Sequence, residues 1–127
     1  RSALETAADL VEAGDRATLL EVTRDLTARP LGAEWVAVLD LATGDVLVAG
    51  ERAPSPGWLA AFVHGADTAA TLGGTETGSS DVMWAPLAGS DLALVAGRDR
   101  IPWRTRERRH LAALARVVGR RWTELTV

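Results

Sequence analysis

Five residue types are missing from this chain of 127 residues: cysteine, lysine, asparagine, glutamine and tyrosine. Without cysteine there is no disulfide framework, no thiolate metal site and no cysteine nucleophile. The absence suits a reducing compartment, so a cytoplasmic location is the expectation. Without lysine, all 14 basic residues are arginine, a bias more in keeping with a GC-rich coding sequence than with a demand for guanidinium groups. No apolar run approaches the ~20 residues of a membrane helix, and no signal-peptide pattern opens the chain, so no membrane partner is expected. The chain begins with Arg1 rather than Met, and is expected to be a piece of a longer protein. Its length fits one domain, since domains most often run to about 100–150 residues. A domain of this size buries on the order of two thirds of its unfolded surface and needs no covalent staple.

Charge is divided unevenly. Residues 98–127 hold nine arginines against Asp99, Glu107 and Glu124, a balance of +6, while the rest of the chain stands at −9. A basic end of this kind serves either to touch an anionic partner, nucleic acid among them, or to solvate the outer face of a helix. The helical spacing of these arginines favours the solvated face, so nucleic acid is not the expected partner.

The hydrophobic pattern gives the order helix, helix, hairpin, helix, hairpin, helix. Ser2 and Glu5 have the spacing of a capping box, followed by Leu4, Ala7, Ala8 and Val11 at helical intervals, with Gly14 as the stop. Asp15 caps a second helix carrying Leu19, Val22 and Leu26 and ending near Pro30, so residues 1–30 are the N-terminal helices. Residues 35–39 and 46–49 are short β-branched runs joined by a turn-rich stretch, 40–45. Residues 58–63 form a short helix. The small polar residues 71–81 form a loop, and strands 82–87 and 92–96 turn about Gly89-Ser90-Asp91. Pro86 lacks an N–H and belongs at a strand end, edge or bulge. From about 104 to 125 runs a long helix with Leu111, Leu114, Ala115, Val118, Trp122 and Leu125 on one face. Hairpin-linked strands imply an antiparallel sheet with helices covering it, an α+β domain over 1–127 whose sheet and middle segment span 33–97.

The sequence resembles the GAF domains. Gly32-Ala33-Glu34-Trp35 matches the family's entry to its first strand, and Val82-Met83-Trp84-Ala85-Pro86-Leu87 its apolar strand ending in Pro-Leu. Gly97, Trp103 and the Leu111-Ala112-Ala113-Leu114-Ala115 helix core match the family's glycine strand end, aromatic residue and final helix. The resemblance covers nearly the whole chain, and the related PAS domains are the neighbouring alternative. It implies a central antiparallel sheet with the N- and C-terminal helices on one face, and often a small-molecule pocket on the other, under the middle segment. It implies a sensory or regulatory role in a signalling protein with an output domain on the same chain, and pairing into a homodimer through the terminal helices. One departure is that the stretch between the second strand and the Pro-Leu strand is short, which reduces the pocket roof.

Within that frame, Trp58 and Phe62, four apart on the middle helix, roof a pocket closed below by Met83 or Trp84, whichever faces it. His64 is the one histidine near this pocket and the candidate for a heme ligand, a reading that no second feature supports. The cofactor is otherwise unknown. Covalent bilin attachment and sulfoxide reduction in this family use cysteine, and the cyclic-nucleotide motif contains Asn and Lys, all absent here. Leu4, Val118 and Trp122 are the candidate dimer contacts. Residues 73–80 echo a phosphate-binding loop, but Ser79 stands where the lysine belongs and a strand comes next instead of a helix. A triad from Ser79 or Ser80, His64 and Asp67 or Asp81 lacks a nucleophile elbow. Two distant histidines make no metal cluster. The expectation is therefore a non-catalytic domain that binds a small molecule, dimerises, or does both. Its rival is a ligand-free relay with a filled core.

Overall fold

The computed structural model of the chain describes residues 3–71, 81–99 and 101–125. Its elements are α1 (Ala3–Glu12), α2 (Arg16–Leu31), β1 (Trp35–Asp40), β2 (Val46–Ala49), α3 (Pro56–Thr71), β3 (Val82–Pro86), β4 (Leu92–Gly97) and α4 (Thr105–Glu124). The strands form one antiparallel sheet in the order β2-β1-β4-β3. The fold is α+β, with the element order that the sequence pattern implies.

Local chemistry sets most of the boundaries. The Asp15 carboxylate accepts the Thr18 N–H at 2.7 Å and caps α2, which holds its carboxyl below the usual carboxylate range. Pro30 does not end α2, because a proline in the last turn costs only one backbone bond. The helix continues to Leu31 and closes at Gly32, whose φ of 66° is the left-handed conformation that glycine tolerates. The Ala33 N–H then returns to the Ala28 carbonyl at 3.0 Å, completing a Schellman closure. Gly14, expected to stop α1 in the same way, is not among the glycines with positive φ, and α1 ends before it at Glu12. The Ser2 cap lies outside the described residues.

In the first hairpin the Asp40 carboxylate accepts the N–H groups of Ala42 and Thr43, and Gly44 turns the chain with φ 81°. In the second, the Ser90 hydroxyl donates to the Leu87 carbonyl and accepts the Leu92 N–H. Pro86 ends β3, an edge strand, so its missing N–H costs the sheet nothing in the interior. The middle helix is longer than its apolar run suggested: Pro56 sits at the start of α3, where an N–H is not needed, and the helix reaches Thr71.

The two faces of the sheet carry separate cores. On one face α1, α2 and α4 bury Leu10, Leu19, Leu26, Leu111, Leu114 and Val118 against Val36, Val38, Met83, Ala85, Leu94 and Ala96. Apolar stripes alone do not describe α2, since its buried face includes Thr23 and Thr27. Their hydroxyls donate to the carbonyls four residues back, both at 2.7 Å, so burial leaves neither hydroxyl unsatisfied. On the other face Leu59 and Val63 of α3 pack on Ala37, Leu39, Ala93 and Val95. β4 is buried at every position because it lies inside the sheet and is covered on both faces.

Gly119 brings α4 down onto the β3–β4 turn. A Cβ there would sit 2.8 Å from the Leu87 carbonyl carbon and closer still to the backbone N and O of Ala88. Only a hydrogen fits, so this glycine sets how closely the helix approaches the turn.

Candidate functional site

An open cleft of about 360 Å³ lies at one end of the sheet, where β1 and β3 begin and β4 ends. Its apolar wall is made by Trp35 and Trp58. Trp35 pairs with Gly97 across the β1–β4 ladder, and a Cβ at Gly97 would collide with its indole at Cε2, Cζ2 and Nε1. The indole therefore lies across the glycine and occupies the place of a side chain. Trp58 stands in the first turn of α3, where its N–H donates to the Ser55 hydroxyl at 3.3 Å. The two indoles meet at 86° with centroids 6.5 Å apart, and Phe62 stacks on Trp58 at 5.4 Å and 3°. Trp58 remains 43 % exposed, unusual for a residue with so much apolar area to hide.

The charged side of the cleft holds Glu34, Arg52, Asp81, Arg98 and Asp99. Arg98 has a defined structural task. Its Nε donates to the Ile101 carbonyl, Nη1 to the Leu31 carbonyl and a Glu107 oxygen, and Nη2 to the Pro102 carbonyl and the other Glu107 oxygen. All five N–H groups of the guanidinium are used, and its carbon rests 3.8 Å from the Trp103 ring centroid. The Trp103 indole N–H in turn donates to the Asp81 carbonyl at 2.8 Å. The result is a knot tying the end of α2, the start of β3, the end of β4 and the first turn of α4. The Arg98 hydrogen bonds, and after them the Arg104 N–H, hold the Glu107 carboxyl below the usual carboxylate range.

The structure brings together some of the residues singled out in the sequence and separates others. Trp58 and Phe62 stack on one another, and Trp84 packs on the same side of the sheet. Met83 does not join them. It points to the opposite face and is buried among α1, α2 and α4, as alternation along a strand requires. His64 is exposed, some 160° around α3 from Phe62 by helical geometry. The loop containing residues 73–80, with Ser79 and Ser80, falls outside the described residues, as does the Asp67 side chain. No three His, Asp or Glu side chains among the described residues are grouped to hold a metal ion.

The candidate dimer contacts also divide. Val118 is fully buried beneath α4 and cannot meet another chain without unfolding. Trp122 is half-buried, with the Arg16 guanidinium 4.3 Å from its ring centroid and bonded to its carbonyl. Leu4 is 82 % exposed, and two apolar residues that sequence reasoning passed over as contacts, Val11 and Val117, are 62 % and 44 % exposed. On α1, Asp9, Glu12 and Ala13 border the groove against α2, which turns Leu4 and Val11 to the other flank. On α4, Val117 lies one turn from Leu114 and Arg121, and Arg121 donates to the Ala13 carbonyl just beyond α1 at 2.8 Å. Leu4 and Val11, seven residues apart, share one exposed face of α1, and Val117 is exposed on α4.

Trp35, which the sequence places at the entry to the first strand, joins Arg52 and Arg98 in a cleft that no sequence motif marks. The one signal for Trp35 was its strand register opposite a glycine. Among the described residues, no helix is long and apolar enough to cross a membrane. Compared with models of known protein families, with curated proteins and with solved structures, the chain finds no match.

Proposed function

We propose that this chain is a non-catalytic regulatory domain of a cytoplasmic signal-transduction protein, GAF-like and related to PAS, that pairs with a second copy of itself through α1 and α4. The observation that carries the reading is the exposure of Leu4 and Val11 on one face of α1 and of Val117 on α4, two helices that pack on one another. Scattered exposed apolar residues are ordinary, whereas aligned ones mark a contact surface. α1 carries Glu5, Asp9 and Glu12 and no base, while α4 carries six arginines against Glu107 and Glu124, so the opposite overall charge of the two helices favours a second copy as the occupant through its long-range field.

Sedimentation of the intact chain tests this pairing. The Val11→Asp and Val117→Asp substitutions, at exposed positions, should each leave the fold intact and convert dimer to monomer. Variants that remain dimeric would rule this face out as the pairing surface.

A second reading, small-molecule sensing, is favoured by the half-open aromatic cleft. Arg98 lines that cleft and is bonded to the first turn of α4 through Glu107. Occupancy of the cleft and the setting of α4 therefore share one residue, a physical route to an output domain on the same protein. Such a route transmits a signal only where a ligand binds two arrangements of α4 with different affinity.

A further inference from the structure

The arginines of α4 divide by what they do. Arg121 is bonded to the Ala13 carbonyl and paired with Glu124 at 3.5 Å, and Arg108 has a partner as well. Arg106, Arg109, Arg116 and Arg120 are all exposed, and among the described residues nothing bonds or pairs with their guanidiniums. The four fall within about 80° of one another around the helix and run along about 21 Å of its axis. They lie on the side opposite the buried Leu111, Leu114, Ala115 and Val118. Spacing along the chain matched them to a solvated helix face. Such a face usually alternates in sign, with an acid three or four residues from each base. Here Arg106 and Arg109 are three apart and Arg116 and Arg120 four apart, so neighbours on the helix repel one another.

The acids nearby are engaged or turned elsewhere. Glu107 is held at Arg98, and Glu124, one turn beyond Arg120, is shared with Arg121. On α1, which packs against α4, Asp9 and Glu12 border the groove toward α2. Glu5 lies on the same side of that helix by its spacing. The outward ridge of α4 is thus positive along its length, and its chemistry selects the anion. Guanidiniums in a row, each a planar fork of N–H donors, match phosphate oxygens repeated along a rigid polymer. No aromatic residue shares the ridge, so the unstacked bases of a single strand find no platform there. Ala113 and Val117 are too small to enter a lipid surface, which takes bulkier apolar side chains on the contacting face. A double helix fits. B-form DNA sets its phosphate rows on either side of a major groove about 12 Å wide, close to the width of an α-helix.

We infer that α4 binds the phosphates of double-stranded DNA through Arg106, Arg109, Arg116 and Arg120, without reading base sequence and independently of the pairing proposed above.

The experiment is a titration of a fluorescently labelled DNA duplex with the intact chain, followed by anisotropy from about 50 to about 200 mM salt. Four phosphate contacts give a slope of log affinity against log salt of about −3.6, a loss of about a hundredfold over that range. Arg109→Ala combined with Arg116→Ala should halve the slope to about −1.8, for duplexes of unrelated sequence alike. Both positions are exposed, so the circular dichroism of this variant should match the parent's. Should it lose helix, Arg120→Ala alone should lower the slope by about 1. An unchanged slope in the folded variant would overturn the inference, as would a duplex left unbound by about 100 μM chain at the lowest salt. A single strand of the same sequence bound more tightly than the duplex would also overturn it. So would phosphatidylserine vesicles that hold the chain when the duplex does not. Sedimentation of the same samples separates this from the pairing proposal. A dimer that ignores the duplex overturns the DNA reading alone, and a monomer that binds it overturns the pairing alone.

Discussion

Replacing Gly119 with alanine sets two physical effects of opposite sign against each other, and the structure decides between them. A glycine inside a helix costs about 1 kcal/mol relative to alanine, so the sequence alone recommends the change as stabilising. The packing says otherwise. The new Cβ would meet the Leu87 carbonyl carbon at 2.8 Å and the Ala88 backbone more closely still. Those atoms belong to a tight turn with Gly89 at φ 76° and cannot rotate away as a side chain would. Relief requires α4 to lift from the sheet, loosening Leu111, Leu114, Ala115 and Val118, all of which are buried. Forcing extra atoms into a packed interior costs typically about 1–3 kcal/mol and sometimes more, and a backbone obstacle belongs at the top of that range. The net expectation for Gly119→Ala is a loss of about 2 kcal/mol after the helix gain of about 1 kcal/mol is subtracted. Gly65 is the internal control. It lies in α3 with nothing within 4 Å of its added Cβ, so Gly65→Ala should stabilise by up to about 1 kcal/mol. Urea unfolding of both variants beside the wild type reads the two signs directly. A Gly119→Ala protein as stable as the parent would refute the close approach of α4 to the turn.

Further predictions concern the knot around Arg98 and the seat of Trp35. Lysine has three donors and no planar fork, so Arg98→Lys should cost about 3 kcal/mol, since hydrogen bonds to a charged group are worth about 1.5–3 kcal/mol each; urea unfolding measures it. Because Glu107 is held below its ordinary value of 4.5, the folded state binds fewer protons than the unfolded one once the pH drops to that region. Its contribution is therefore complete above about pH 4.5 and is lost as the pH falls through the lowered value. Glu107→Gln should flatten that acid limb of the stability curve, and an unchanged limb would contradict the assignment. Gly97→Ala drives the Trp35 indole off the sheet at about 1–3 kcal/mol, and should shift the tryptophan emission; a spectrum and stability like the parent's would show that the indole does not lie there.

The order of elements was legible because it is written in local signals: the Asp15 cap, the turn residues at 40–45 and 89–91, and the α4 stripe. What escaped the sequence depends on contacts between distant residues or on groups that hydropathy misreads. Thr23 and Thr27 look polar, yet they lie in the core because each hydroxyl is satisfied within its own helix. Alternation along β3 shows that Met83 and Trp84 face opposite ways, but when both faces are buried it cannot say which faces α3. Val118 reads equally well as core or as interface, since an apolar residue on a helical face does not name what covers it. Arg98 draws acceptors from residues 31, 101, 102 and 107, and Trp35 depends on a glycine at the far end of β4. Neither assembly leaves a short motif. The same holds for Val11 and Val117, whose exposure is settled only once α1 and α4 are packed on the sheet.

Pairing through α1 and α4 is tested most directly by the number of chains in the native particle. Native beside denaturing mass spectrometry of the intact chain, at micromolar concentration and low ionic strength, counts them in one step. The prediction is a native mass twice the chain's 13.4 kDa, falling to the single-chain mass when salt is raised or Val117 is changed to Asp. A native mass of one chain throughout would contradict the proposal that α1 and α4 form the working surface of this domain.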